Sequence, residues 1–198
     1  AWNPGDIALQ SIASNVGKVE VAKGASSKQS ASISGAVTND AYGAGSPTKC
    51  DKDCDDAALA VQSVSSNVGN VTISGESTQH TSVVGGAVGN TALGAGAVAI
   101  QSLATNIGKV DIAGKSHQKV DLNKTIVTNF ANGQDTTAVQ NLASNYDGVK
   151  IMKGGHSDQT VTGNGGTISN EATGRYAQAF QNLSSNFGDV TISGYSSQ

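Results

Sequence analysis

Apolar and polar residues alternate in short stretches of this chain, and the stretches recur. In Val71-Thr72-Ile73-Ser74 and Val110-Asp111-Ile112-Ala113 the apolar side chains fall on every second residue, which predicts a short strand with one buried face. An Asn-x-Gly step precedes these stretches and predicts a tight turn, because both residue types tolerate positive φ. The stretch before that turn is less regular: Val61 and Val64 would point to opposite faces of a strand. Near the end of the chain Tyr176, Phe180, Leu183 and Phe187 fall at helical spacing, so a short helix closed by Gly188 is the alternative there. Serine, threonine, asparagine and glycine favour strand and turn over helix interiors, and a strand covered on both faces needs no alternation. Strand is the preferred reading throughout.

The same pattern occurs five times, over residues 7–29, 58–79, 97–118, 136–159 and 177–198. Each copy has a glutamine followed five residues later by an asparagine: Gln10 and Asn15, Gln62 and Asn67, Gln101 and Asn106, Gln140 and Asn145, Gln181 and Asn186. A glycine closes each copy, and a second glutamine follows at Gln29, Gln79, Gln118, Gln159 and Gln198. Between copies lies a looser segment with an Asn-x-Ala step, whose asparagines are Asn39, Asn90, Asn129 and Asn170. The leading glutamines are 52, 39, 39 and 41 residues apart, and an inserted loop over 46–56 accounts for the first interval. A period near 40 residues predicts one repeat domain over 1–198, all-β, built as a β-solenoid or stacked β-arches of about four to five units.

Stacking gives the repeated amides a role. In layers about 4.8 Å apart, side-chain amides can donate to one layer and accept from the other, and small residues let sheets approach closely. All nineteen glutamines and asparagines named above are therefore candidate ladder and assembly residues. At these positions the chain resembles bacterial functional amyloids. The Gln, Asn-x-Ala and Asn-Gly punctuation resembles the curlin repeats of the curli fibre. The stretch SNVGKVEVAKGASSKQ is similar to the Asn-x-Gly-Val, Ala-Gly and Gln pattern of Fap-type fibrillin repeats. The resemblance implies a secreted subunit that polymerises into an extracellular fibre of a biofilm or cell surface.

Composition adds limits. Hydrophobic residues make up 37% of the chain and aromatics 4%, too little for a thick conventional core. A net charge of −3 with 14% charged residues offers no basic footprint for nucleic acid, and no apolar run is long enough to span a bilayer. A start at Ala1-Trp2 rather than Met fits removal of an export signal. In an exported protein Cys50 and Cys54, in a Pro-bearing loop, are expected to form a local disulfide. Asp51, Asp53, Asp55 and Asp56 in the same loop read as a solvated acidic cluster rather than a calcium site. His80, His117 and His156 lie at unequal offsets from the second glutamines and read as surface residues, not a metal ladder. The glycines of GNGG at 163–166 fit a turn and match no phosphate-loop pattern.

No single constellation of base, nucleophile or paired carboxylates stands out, so no enzyme activity, cofactor or metal is expected. The expected partner is a second copy, with the N-terminal segment of one subunit against the C-terminal segment of the next, since no polar cap marks either terminal repeat. A nucleator or secretion pore is an allowed further partner. The alternatives are a monomeric repeat adhesin or binding module, and a filament of globular subunits joined by donated strands.

Overall fold

The computed structural model describes residues 6–43 and 57–198. Cys50, Cys54, the acidic loop and Trp2 lie outside the described residues. Every regular element among the described residues is a strand, including the stretch where helical spacing offered an alternative.

The chain winds into five coils. Coil 1 contains β1 (Ile7–Ile12), β2 (Asn15–Val16), β3 (Val19–Val21), β4 (Ser26–Ile33) and β5 (Ala36–Tyr42). Coil 2 repeats it as β6 (Leu59–Val64), β7 (Asn67–Val68), β8 (Val71–Ile73), β9 (Glu76–Val84) and β10 (Ala87–Leu93). Coil 3 has β11 (Val98–Leu103), β12 (Asn106–Ile107), β13 (Val110–Ile112), β14 (Lys115–Asn123) and β15 (Ile126–Asn132). Coil 4 has β16 (Thr137–Leu142), β17 (Asn145–Tyr146), β18 (Val149–Ile151), β19 (His156–Asn164) and β20 (Thr167–Thr173). Coil 5 has β21 (Gln178–Leu183), β22 (Asn186–Phe187), β23 (Val190–Ile192) and the short β24 (Tyr195–Ser197).

Equivalent strands stack in parallel and in register, so the fold is a β-solenoid with five sheets along its length. Four sheets have five strands, and the sheet built on β5 has four. Register is marked by the inward columns that repeat one residue type: Gln10 faces Gln62, Asn67 faces Asn106, and Ile112 faces Ile151. A one-residue slip would turn every interior side chain outward.

The interior is thin and made of small residues. Between the β1 and β5 columns its apolar part is alanine, including Ala41, Ala60, Ala92, Ala99, Ala131 and Ala138. Farther along, Val64, Leu103 and Leu142 pack with Val83, Val120, Leu122, Val88 and Val127. The β3 column stacks Val71 and Ile73 on Val110 and Ile112, then on Val149 and Ile151. Each short unit gains its burial from the layers above and below, as expected for a repeat array.

Two backbone devices form the corners. A non-glycine residue with positive φ, at Ala13, Ser65, Ala104, Ala143 or Ser184, kinks the chain between the first and second strands of each coil. The next turn uses glycine, as at Gly69 (φ 126°) and Gly108 (φ 105°). A Cβ on Gly108 would run into the backbone of Gly69 one layer away, so glycine is required for close approach as well as for φ. The Asn-x-Gly turn thus differs from expectation. Its asparagine is a strand residue pointing inward, and the turn falls on the glycine.

Candidate functional site

Three amide columns run through the interior as continuous ladders. In the first, each glutamine Nε2 donates to the Oε1 of the glutamine in the preceding coil: Gln62 to Gln10 (2.7 Å), Gln101 to Gln62 (2.9 Å), Gln140 to Gln101 (2.8 Å) and Gln181 to Gln140 (2.6 Å). The same nitrogens donate across the interior to the fifth-strand column, at the carbonyls of Gly89, Thr128 and Ser169.

The other two ladders run with the opposite polarity. Asn15 donates to Asn67 (3.0 Å), Asn67 to Asn106 (2.8 Å), Asn106 to Asn145 (2.8 Å) and Asn145 to Asn186 (2.7 Å). Asn39 donates to Asn90 (2.9 Å), Asn90 to Asn129 (2.8 Å) and Asn129 to Asn170 (2.8 Å). The asparagines of this last column also bridge two consecutive coils of the facing sheet. Asn90 Nδ2 reaches the carbonyls of Ala60 and Ile100, and Asn129 Nδ2 those of Ala99 and Val139.

The second glutamines do not pair with one another. Gln29, Gln79, Gln118 and Gln159 each donate to the asparagine of the next coil, at Asn67 (2.6 Å), Asn106 (2.5 Å), Asn145 (2.5 Å) and Asn186 (2.6 Å). Their Oε1 atoms are buried without a protein partner and form a column of four unused acceptors. Gln198 lies just past β24, exposed, and joins none of these ladders. Gln62, Gln101 and Gln140, with Asn67, Asn106 and Asn145, are fully buried. In that setting an amide must be paired within the protein or leave an unsatisfied group, which makes the ladders strongly selective for this register.

A hydroxyl column supports the kinks of the first four coils. Ser14, Ser66, Thr105 and Ser144 donate to the carbonyl two residues back, at 2.9 to 3.0 Å. Ser14 and Ser66 also accept the backbone N–H of the equivalent residue one coil on. The sequence carries a signal for this column, a hydroxyl residue directly before every ladder asparagine of the first segments.

Outward columns differ from coil to coil, apart from one apolar strip. Leu9, Val61, Ile100, Val139 and Phe180 form one row, and Val16, Val68, Ile107, Tyr146 and Phe187 the next. Tyr146 and Phe187 stack with centroids 5.1 Å apart. On the outer face of the β4 column the three histidines meet carboxylates: His80 with Asp121 (2.8 Å), and His117 and His156 with Asp158 (3.1 and 3.2 Å). Burial would raise the Asp121 carboxyl, but Lys119 and His80 outweigh it and hold the group below its usual value of 3.8.

The two end coils are unequally open. In coil 5, Leu183, Val190 and Ile192 are 41%, 41% and 48% exposed, although their equivalents in coil 4 are buried. In coil 1 the first two columns are open, with Leu9 and Val16 exposed, whereas Val19, Val21, Gln29, Asn39 and Ala41 are buried. Among the described residues no helix is long and apolar enough to cross a membrane.

These features define a repeat-built parallel β-solenoid whose interior is laddered by amides. No protein-family model, curated protein or solved structure matches the chain.

Proposed function

We propose that the protein is a secreted structural subunit whose parallel stack continues end to end through further copies, giving an extracellular fibre of the functional-amyloid kind. The observation that carries this reading is the match between the two end coils. Among the described residues Gln10 Nε2 keeps only a long bond to the Thr38 carbonyl (3.4 Å), and at the other end Gln181 Oε1 accepts none. Asn15 Oδ1 accepts none among them either, while Asn186 Nδ2 donates only to Ser196. The free donors and acceptors of one end are therefore the complements of the other, in two ladders of opposite polarity. Leu9 and Val16 stand in the same rows as Phe180 and Phe187, so apolar surfaces meet in the same register. A head-to-tail contact of this type does not close, and so it builds a filament.

Truncating coil 1 would only present coil 2, which repeats its ladder residues, so the test uses a charge. Electron microscopy and fibre diffraction of the wild type should show filaments with a meridional reflection near ~4.7 Å. Ile192→Lys should leave a folded subunit that does not elongate. Filaments unaffected by that lysine would refute end stacking. The buried coil-1 residues Val19, Val21 and Ala41 favour a second reading, a binding module closed at its N-terminal end. A sedimentation profile that stays monomeric at every concentration would select it.

A further inference from the structure

One strip along the side of the stack is apolar and carries no charge. Its two rows run Leu9, Val61, Ile100, Val139, Phe180 and Val16, Val68, Ile107, Tyr146, Phe187. The outward row of the neighbouring β3 column differs, running Glu20, Thr72, Asp111, Lys150 and Thr191. Even in the inner coils Val61, Val68, Ile100, Ile107 and Tyr146 stay partly exposed, and apolar surface continuous over this length marks a contact surface.

Side-chain size changes along the strip in one direction. The Val16 row passes from two valines through isoleucine to tyrosine and phenylalanine. At the large end Tyr146 and Phe187 stack into one slab, with centroids 5.1 Å apart and planes 7° apart. At the small end the bend between the first and second strands leaves a recess of about 330 Å³ bordered by Leu9, Val16, Val61 and Val68. The recess opens sideways, since every residue lining it except Gln10 stands in an outward row.

We infer that this strip is the interface between two copies of the chain, laid side by side with their stacks running in opposite directions. A two-fold axis along the strands at coil 3 sets each row on its own counterpart with the coils reversed. Ile107 then meets Ile107 of the partner subunit, Val68 meets the partner's Tyr146, and Val16 meets the partner's Phe187. The aromatic slab of each copy enters the recess of the other, whereas copies running in the same direction would set slab on slab and recess on recess. Charge supports the reversed arrangement. Lys18 and Asp189 hold the same corner position in coils 1 and 5, just beyond the Val16 row, and come opposite each other at both rims. The occupant is a second copy because apolar side chains at the ~4.8 Å interval of stacked strands are matched by another stack with that interval. Two chains of net charge −3 also meet on this strip without desolvating a charge. The interface uses the side of the subunit rather than its poles, so it goes beyond the fibre reading and does not depend on it.

The test is sedimentation velocity on the full chain carrying Ile192→Lys, which separates side pairing from end stacking. A concentration-dependent equilibrium between monomer and dimer is expected. Ile107→Lys, at the axis, should abolish the dimer while circular dichroism stays unchanged. Val68→Tyr should weaken it about tenfold, because two tyrosines then compete for the room of one, and adding Tyr146→Val should restore it. Lys109 shares the corner row of Lys18 and lies beside the axis in both copies, so Lys109→Ala should tighten the dimer. A monomer at every concentration, a dimer that survives Ile107→Lys, or a Val68→Tyr defect that Tyr146→Val does not rescue would overturn the proposal. If Ile107→Lys fails to fold, the Val68 and Tyr146 exchange decides. A dimer whose wild type never forms filaments keeps the interface and removes the fibre reading. Wild-type filaments beside a strictly monomeric Ile192→Lys chain remove the interface alone.

Discussion

Asn106 offers the sharpest test of the ladders, because the same column contains an exposed control. Asn106 is fully buried, donates to Asn145 (2.8 Å) and Ser116 (3.2 Å), and accepts from Asn67 (2.8 Å) and Gln79 (2.5 Å). Asn106→Leu keeps the volume and removes all four bonds. Asn145 still accepts from Gln118 and Asn67 still reaches Ser77, so the main damage falls on the Gln79 nitrogen and the weakened Asn67 donor. At about 1–3 kcal/mol per buried group left unsatisfied, the cost should be about 4 kcal/mol. Asn15 makes one ladder bond at an exposed end, and its acceptor on Asn67 keeps the bond from Gln29. Asn15→Leu should therefore cost less than about 1 kcal/mol. Urea unfolding followed by circular dichroism measures both, and hydrogen exchange shows whether the array opens as one unit. Equal costs for the two variants would refute the ladder reasoning and make the asparagines ordinary turn residues.

Gly108→Ala should destabilise the array severely, by about 3 kcal/mol or more, since the added Cβ meets backbone that cannot rotate away; a thermal melt within a few degrees of wild type would contradict this. Thr105→Val should cost about 1–2 kcal/mol by removing the hydroxyl bonded to the Leu103 carbonyl (3.0 Å), measured by the same urea titration. For Asp121 the folded carboxyl titrates below its unfolded value of about 3.9. Its contribution is complete above that pH and is lost as pH falls through the folded value. Because the pair is partly exposed the effect should be below about 1 kcal/mol, so Asp121→Asn should lower stability by that amount at neutral pH, and the wild-type and variant profiles should converge as pH falls through the folded value.

The repeat could be read from the chain because the ladder residues are large amides at fixed positions, and alternation such as Val71-Thr72-Ile73 marks a one-sided strand directly. The ambiguity before the turn has a physical cause in the kink. At Ser65 (φ 52°) the chain bends, so Ser63 is enclosed although it lies on the same side of the strand as the partly exposed Val61. Periodicity assumes a straight strand and fails at such a bend. The partners of the second glutamines were also hidden. Gln79 was expected to bond Gln118, and it does lie in register with it, yet its amide donates to Asn106, a residue of another sheet that no local pattern points to. The helical spacing of Tyr176, Phe180, Leu183 and Phe187 proved coincidental, because Phe180 and Phe187 belong to two outward rows that meet across the kink.

Inside and outside follow different rules, and the difference bears on function. Inward columns hold one residue type along the stack, such as five glutamines or five asparagines, whereas the outer face of the β4 column runs Lys28, Thr78, His117, Asp158 and Ser197. A ligand site on a solenoid face would need particular side chains on particular coils of the outside. Here the repeated chemistry is in the stacking direction, where its unsatisfied ends are Gln10 and Asn15 at one pole and Gln181 and Asn186 at the other. An amide ladder gains from every added layer because each new layer satisfies the donors or acceptors left by the last. In the interior coils each ladder amide is therefore satisfied from both sides, whereas Gln10 and Asn186 reach across the coil for their remaining partners among the described residues.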